Sequence, residues 1–260
     1  MVILLSPAKA LNTQDSAPEP SRKRPYFADE AARLVEHMRA FDTGELSKLF
    51  GVGENTAELN RERYHQWERD AHPEAGRAAV YTFAGPVYKA LHPWDWDEAE
   101  LTYAQQHLGI LSGLYGLLDA REPVLPYRLD MGTRITPPEG KKLVDFWRPR
   151  VTGRIEELVR ATGAPAVLNL ASKEYADAVD RQSLSVPVID FRFEEWSGDR
   201  YRQVRTYIKQ ARGLMARHLV KTRAYSLDQA KAFASANYAF APEASDETLL
   251  VFRRDERPAS

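Results

Sequence analysis

The sequence predicts an α+β fold, a compact single domain over residues 1–260 with a mixed sheet and surrounding helices. Three observations predict it. Short apolar runs of strand length alternate with longer stretches in which apolar residues recur every three or four positions. They do so without a repeating strand-helix unit, which disfavours a doubly wound sheet, and two late strand-like runs flank Ser197-Gly198-Asp199 as a hairpin. With 260 residues, 43% of them hydrophobic, the chain can bury a large core.

Met1 to Leu5 reads as a buried strand closed by Ser6-Pro7, and the Pro-, Ser- and charge-rich stretch from Asn12 to Pro25 as an exposed loop. Ala31, Leu34, Val35, Met38 and Phe41 mark a helix, and Asp42 with Glu45 opens a second as a capping box that Gly51 stops. A third runs from Gly53 to about Trp67. Val80 to Phe83 is expected to be a strand. Asp97 and Glu100 start a helix whose stripe, Tyr103, His107, Ile110, Leu111 and Leu114, is expected to break near Ser112-Gly113. Trp147, Val151, Ile155 and Leu158 predict a further helix with Pro149 in its first turn. Ala166 to Leu170, Val186 to Phe193, Tyr201 to Thr206 and Thr248 to Phe252 read as strands. A helix is expected over Tyr207 to Val220 and a shorter one capped by Ser226 and Gln229, with a frayed tail from about Arg253 or Arg254.

The formal net charge is −1, so any nucleic-acid site must be a local patch. The chain has no cysteine, which excludes a disulfide framework, a thiolate nucleophile and thiolate-held metal clusters. Five apolar residues at Met1 to Leu5 do not make a signal peptide, and no run approaches the roughly 20 apolar residues of a membrane span. The expected compartment is the cytoplasm, without a membrane partner. The six histidines show no metal-ligand spacing, and neither a Walker A loop nor a dinucleotide fingerprint is present, so no metal or cofactor is expected.

The clearest local motif is Leu49-Phe50-Gly51-Val52-Gly53, with Leu46 before it and Ala57 and Leu59 after it. Two helices joined by a Gly-hydrophobic-Gly turn predict a helix-hairpin-helix at about 43–68, in which glycine lets a phosphate approach the backbone and the second helix offers it unpaired N–H groups. Such a contact reads backbone rather than bases. Glu54 and Glu58 oppose a phosphate there, and Arg61 and Arg63 stand a turn further on to compensate. A second feature is Tyr201 to Arg223, which carries Arg202, Arg205, Lys209, Arg212, Arg217, Lys221 and Arg223 and no acid. Arg205, Lys209 and Arg212 share one helical face, which either lines a phosphate cleft or is a solvated face paired with acids such as Asp95, Asp97, Glu98 and Glu100.

Ser6-Pro7-Ala8-Lys9, Gln105-Gln106-His107-Leu108, Leu111-Ser112-Gly113-Leu114-Tyr115-Gly116, Pro126-Tyr127-Arg128-Leu129-Asp130-Met131-Gly132, Phe146-Trp147, Asn169-Leu170-Ala171-Ser172-Lys173-Glu174-Tyr175 and Ala211-Arg212-Gly213-Leu214-Met215-Ala216-Arg217 occur in that order. Together they resemble the YaaA family of bacterial peroxide-stress proteins over nearly the whole chain. The resemblance implies a cytoplasmic protein that limits hydrogen peroxide damage, associated with lowered unincorporated iron. It also implies a single-domain, cantaloupe-like mixed α/β fold with a positively charged cleft, a helix-hairpin-helix and DNA binding. It attaches no catalytic mechanism.

Two functional readings follow. In the first, a stress protein binds duplex or structured DNA without sequence preference, using Gly51, Val52, Gly53, Arg61 and Arg63 at the hairpin together with a basic cleft. In the second, an enzyme or binder acts on a phosphate-bearing metabolite or nucleotide near Lys9, Arg128 and Arg212. Lys9 follows a buried strand, where a lysine serves as a phosphate ligand or, if desolvated, as a nucleophile. Tyr115, Tyr127, Arg128, Asn169, Ser172, Glu174, Tyr175, Arg205, Lys209 and Arg212 are the further cleft candidates. No catalytic residue is assigned.

Overall fold

The run Val-Ile-Leu-Leu at Val2–Leu5 (β1) has no polar face to offer water and is buried at every position, which fits a strand with neighbours on both sides. The computed structural model describes residues 1–12, 17–18, 20, 24–70 and 76–256. Most of the loop expected over 12–25 therefore lies outside the described residues, as do residues 257–260 of the expected tail.

After β1 come β2 (Ala10–Leu11), α1 (Ala28–Arg39), α2 (Thr43–Phe50), α3 (Glu54–Gln66), β3 (Arg77–Ala78), α4 (Ala79–Thr82), β4 (Phe83–Ala84) and α5 (Pro86–Leu91). The middle of the chain forms α6 (Glu98–His107), β5 (Leu108–Ser112), β6 (Gly116–Asp119), β7 (Pro123–Val124), α7 (Leu143–Thr162), β8 (Val167–Asn169) and α8 (Lys173–Ala176). The last part forms β9 (Val188–Trp196), β10 (Tyr201–Arg202), α9 (Arg205–Lys221), α10 (Leu227–Lys231), β11 (Ala239–Phe240) and β12 (Leu249–Arg254).

The main sheet is mixed, in the order β11-β12-β9-β8-β1-β5-β6. Its centre is parallel: β1 pairs with β5 and β8, β8 with β9, and β9 with β12. The antiparallel strands β6 and β11 close its two ends, and β10 returns along β9 as the predicted hairpin. Helices α6, α7 and α9 pack onto this sheet, and one continuous apolar cluster joins them to α1, α2 and α3.

Caps set the helix starts as expected. Asp42 accepts from the Glu45 amide at 2.8 Å and Asp97 from the Glu100 amide at 2.8 Å, with both boxes closed by the returning glutamate, and Ser226 with Gln229 caps α10.

Five local expectations are corrected. Val80–Phe83 is mainly the short helix α4, because the amides of Ala79 and Val80 are drawn to the carbonyls of Glu122 and Ala120. The stripe beyond His107 is the strand β5, buried at every residue between β1 and β6; a strand covered on both faces has no polar alternation to betray it. Helix α7 starts at Leu143, so Pro149 sits inside it and leaves the Asp145 carbonyl without its amide partner. Tyr201–Thr206 is a strand only at Tyr201–Arg202, and the basic helix already begins at Arg205. At the far end Arg253 and Arg254 are not frayed: both lie in β12, and the Arg254–Glu195 pair, 2.7 Å long, is buried.

Helix α9 crosses α5 so closely that a Cβ on Gly213 would stand 2.1 Å from the Val87 carbonyl oxygen and 2.8 Å from the Ala90 Cβ. Alanine would gain roughly 1 kcal/mol of helix propensity there and lose about 1–3 kcal/mol to overpacking. Gly213→Ala is therefore expected to lower the urea unfolding midpoint, with a net loss of up to about 2 kcal/mol. An unchanged midpoint would show that the two helices part freely.

Candidate functional site

The parallel strands deliver their carboxyl ends to one region, the place where open α/β sheets bind ligands. Ser6 follows β1 and Ser172 follows β8. The Ser172 amide donates to Ser6 Oγ at 2.8 Å, and the two hydroxyls lie 3.2 Å apart. Tyr88 donates to the Ser6 carbonyl at 3.0 Å, fixing the turn from which Lys9 extends. Lys9 pairs with Asp130 at 3.0 Å, and Tyr175 donates to the same carboxylate at 3.3 Å. The Lys9 side chain is 65% exposed and ion-paired, so the desolvated setting of a lysine nucleophile is not met.

Tyr115 and Tyr127 are brought under this region rather than into it. Tyr115 is fully buried, and its hydroxyl accepts from Trp67 Nε1 at 2.8 Å and the Leu125 amide at 3.2 Å. Tyr127 shares a 2.6 Å hydrogen bond with Ser112 at the end of β5. Burial pushes both phenols above their ordinary range, and both hydroxyls stay protonated as structural groups.

Beyond Ser172 the strand ends open into a cavity of about 480 Å³, lined by Asn169 and Arg212 among the expected residues and by Asp190, Arg181, Arg192 and Gln203. Asn169 and Asp190 face each other across the β8–β9 register, and Asn169 Nδ2 donates to Asp190 at 2.7 Å. Arg181 grips both Asp190 oxygens, at 2.7 and 2.8 Å. Burial raises the Asp190 carboxyl, but the hydrogen bonds from Arg181 and Asn169 outweigh it and leave it below the usual range. Arg212 is then left over: its buried Nε has no partner among the described residues, and burial pulls its guanidinium below the ordinary value.

The predicted Gly-Val-Gly turn joins α2 to α3. Gly51 ends α2 in the left-handed region at φ 61°, and the Val52 amide donates to the Ser47 carbonyl at 3.1 Å. Leu46 and Ala57 are fully buried between the helices, whereas Leu59, expected in their shared core, is 45% exposed. Gly53 has an ordinary φ of −67°, and a Cβ there would meet nothing within 4 Å. Arg61 and Arg63 are both engaged along α3 itself. Arg61 is clamped on Glu58 at 2.7 Å, and its hydrogen bond, with that of Thr43, holds the Glu58 carboxyl down at about 2. Arg63 is half-buried and donates to Asn60 at 3.3 Å.

A residue outside the hairpin joins it to the strand ends. The Arg128 guanidinium lies 5.7 Å from the centre of the Phe50 ring at the end of α2, and its carbonyl accepts from Tyr64 on α3. Its Nε is buried without a partner among the described residues, and the nearby Asp130 is occupied by Lys9 and Tyr175.

The basic helix divides in two. Arg217 binds Asp95 at 2.7 Å and Lys221 binds Glu100 at 2.8 Å, so this half is the acid-paired face. Glu98 goes instead to Arg121, and Asp97 caps α6. Arg205 and Lys209 are exposed without an ion pair among the described residues and share their face with Arg212.

Residues 1–244 match the family described as "Peroxide stress protein YaaA". The chain belongs to this family. Relatives include the UPF0246 proteins of Tolumonas auensis and Burkholderia cenocepacia, each 41% identical over 256 residues that cover 98% of both chains. The UPF0246 protein of Azoarcus sp. is 40% identical over 258 residues, 98% of this chain and 99% of its own. The blocks that carried the YaaA resemblance fall on the strand ends and their supports: Ser6 to Lys9, Ser112, Arg128 to Asp130 and Asn169 to Tyr175.

Sequence reasoning missed Asp190, Arg181 and Arg192. The available signal was a carboxylate inside the apolar run Val188-Ile189-Asp190-Phe191, where a buried acid demands a partner. Among the described residues no group of three or more metal-binding side chains stands together, and no helix is long and apolar enough to cross a membrane.

Asp95 is held near 2, chiefly by its hydrogen bonds from Arg217, below its unfolded value of about 3.9. The stability it contributes is complete above the unfolded value and fades as pH falls toward 2. Its side chain is 43% exposed, so solvent screens the effect. Asp95→Asn is expected to lower the urea midpoint modestly at pH 7, with the gap to the parent closing between roughly pH 4 and 2. A gap that does not change with pH would assign the loss to packing.

Proposed function

We propose that this peroxide stress protein binds DNA through backbone phosphates and thereby limits iron-dependent oxidative damage. In this reading α2 and α3 act as a helix-hairpin-helix, and the strand-end rim with the first turns of α9 forms the basic cleft. The observation that carries it is Arg128, an unpaired cation seated between the end of α2 and the Lys9–Asp130 cluster. Gly53 supports it. Neither its φ nor its packing calls for glycine, whereas a phosphate approaching the backbone does. Arg61, spent on Glu58, is not part of the proposed contact, and Arg128 takes its place.

A second reading, a phosphate-bearing metabolite or nucleotide held near Lys9, Arg128 and Arg212, is favoured by the unpartnered Arg212 Nε in its cavity.

Fluorescence anisotropy with duplex, single-stranded and junction DNA at two salt concentrations tests the first. Engagement of Arg128, Arg205, Lys209 and Arg212 predicts a log–log salt slope of roughly −3 to −4 on duplex. Gly53→Ala is expected to weaken binding while changing stability by less than about 1 kcal/mol. Absence of binding to all three DNAs at low salt refutes the reading.

A further inference from the structure

The cavity beyond Ser172 has an unbalanced lining. Lys173, Arg181, Arg192 and Arg212 face it together with two acids, Asp177 and Asp190. Both acids are occupied: Asp177 binds Lys173 at 2.9 Å, and Asp190 takes the bidentate grip of Arg181 and the amide of Asn169. Arg192 lies 3.8 Å from Glu194, whose other oxygen holds Arg253 at 2.9 Å, and its charge also acts on Asp246. Arg212 therefore lines this space with a buried Nε that has no partner among the described residues, Arg192 lines it beside its acids, and arginine does not discharge by losing its proton.

We propose that this cavity binds a small phosphomonoester, its phosphate held by Arg212 and Arg192 and its organic part set against Phe191 and Leu249. The proposal rests on the second reading above and places that ligand at the Arg212 end of the rim. Charge and geometry select the ligand class. The lining carries four cationic and two acidic side chains, an excess of two positive charges that matches a phosphate dianion. Phe191 is buried and stacks on Phe252, and with Ala171 and Ala176 it gives the floor an apolar surface that inorganic phosphate alone would leave uncovered. A volume of about 480 Å³ suits a small organic phosphate, and the cavity contains neither Lys9 nor Arg128.

Isothermal titration calorimetry on the full chain at low ionic strength, with phenyl phosphate, inorganic phosphate and benzoate as probes, tests this. Phenyl phosphate is expected to bind saturably and more tightly than the other two. Arg212→Gln should weaken it roughly tenfold or more, as loss of a charged hydrogen bond does, and Lys9→Ala should leave it unchanged. Arg192→Gln, at a half-exposed position, is expected to weaken binding too and serves if Arg212→Gln does not fold. Binding that survives both arginine variants but falls in Lys9→Ala overturns the proposal while leaving the second reading standing. Benzoate binding as tightly as phenyl phosphate overturns the phosphate assignment. No saturable binding of any probe removes both the proposal and the second reading.

Discussion

The double pairing of β1 is the constraint on which the rest depends. Because Val2–Leu5 is bonded to β5 on one side and to β8 on the other, segments more than 100 residues apart must end side by side. Ser6, Ser112 and Asn169 are the last steps of those ladders, and the Ser6–Ser172 contact is possible only because the register aligns Leu4 with both Gly109 and Asn169. A slip of one residue would turn every apolar side chain of β1 to its other face and take the polar ends apart with it. The functional region is thus a by-product of hydrophobic register, and its polar groups need no flexible loop to find one another.

Around that frame, charges are allotted by saturation. Asp130 is shared by Lys9 and Tyr175, Asp190 by Arg181 and Asn169, Asp95 by Arg217 and Lys221. In a chain whose formal charge is −1, few cations should be left over, yet among the described residues Arg128 and Arg212 each keep a buried Nε without a partner and, unlike Arg254, have no ion pair beside it. Unmet donors of this kind are costly inside a protein, and a folded chain tolerates them where something else supplies the acceptor. Both lie along the strand-end rim, one beside the hairpin and one beside the cavity.

Much of this was legible in residue order. The capping box at Asp42, the helix start at Asp97 and Glu100, the Gly51 stop and the buried first strand follow from local chemistry and stand as read. What failed to show was whatever tertiary contact decides. Leu108 to Ser112 carries a helix-compatible stripe and becomes a strand because two neighbours bury both its faces. Pro149 marks no helix start because Leu143 and Phe146, both buried, extend the helix ahead of it. At the site, Lys9 stood out behind a buried strand, Arg212 on the face of an acid-free helix, and Arg128, Asn169 and Ser172 through the blocks that carry the family resemblance. That Arg61 would be spent on Glu58 could not be read, since the i,i+3 spacing permits this surface pair but does not require it. Nor could the separation of Arg212 from Lys9, since sequence gives a residue's place on a strand or helix but not which of two neighbouring hollows it faces.

The division of α9 has a mechanical meaning. Its C-terminal half is fastened to Asp95 and Glu100, and Gly213 lets its middle lie against the α5 backbone, so the helix cannot roll or slide without breaking ion pairs and close packing. Arg205, Lys209 and Arg212 ride on the same rigid rod, positioned before any anion arrives. An arriving anion therefore meets cations whose backbone is already ordered, and little of the attraction is consumed in arranging them. The acid-paired end of the helix, which touches no proposed ligand, is what makes the open end an effective electrostatic surface.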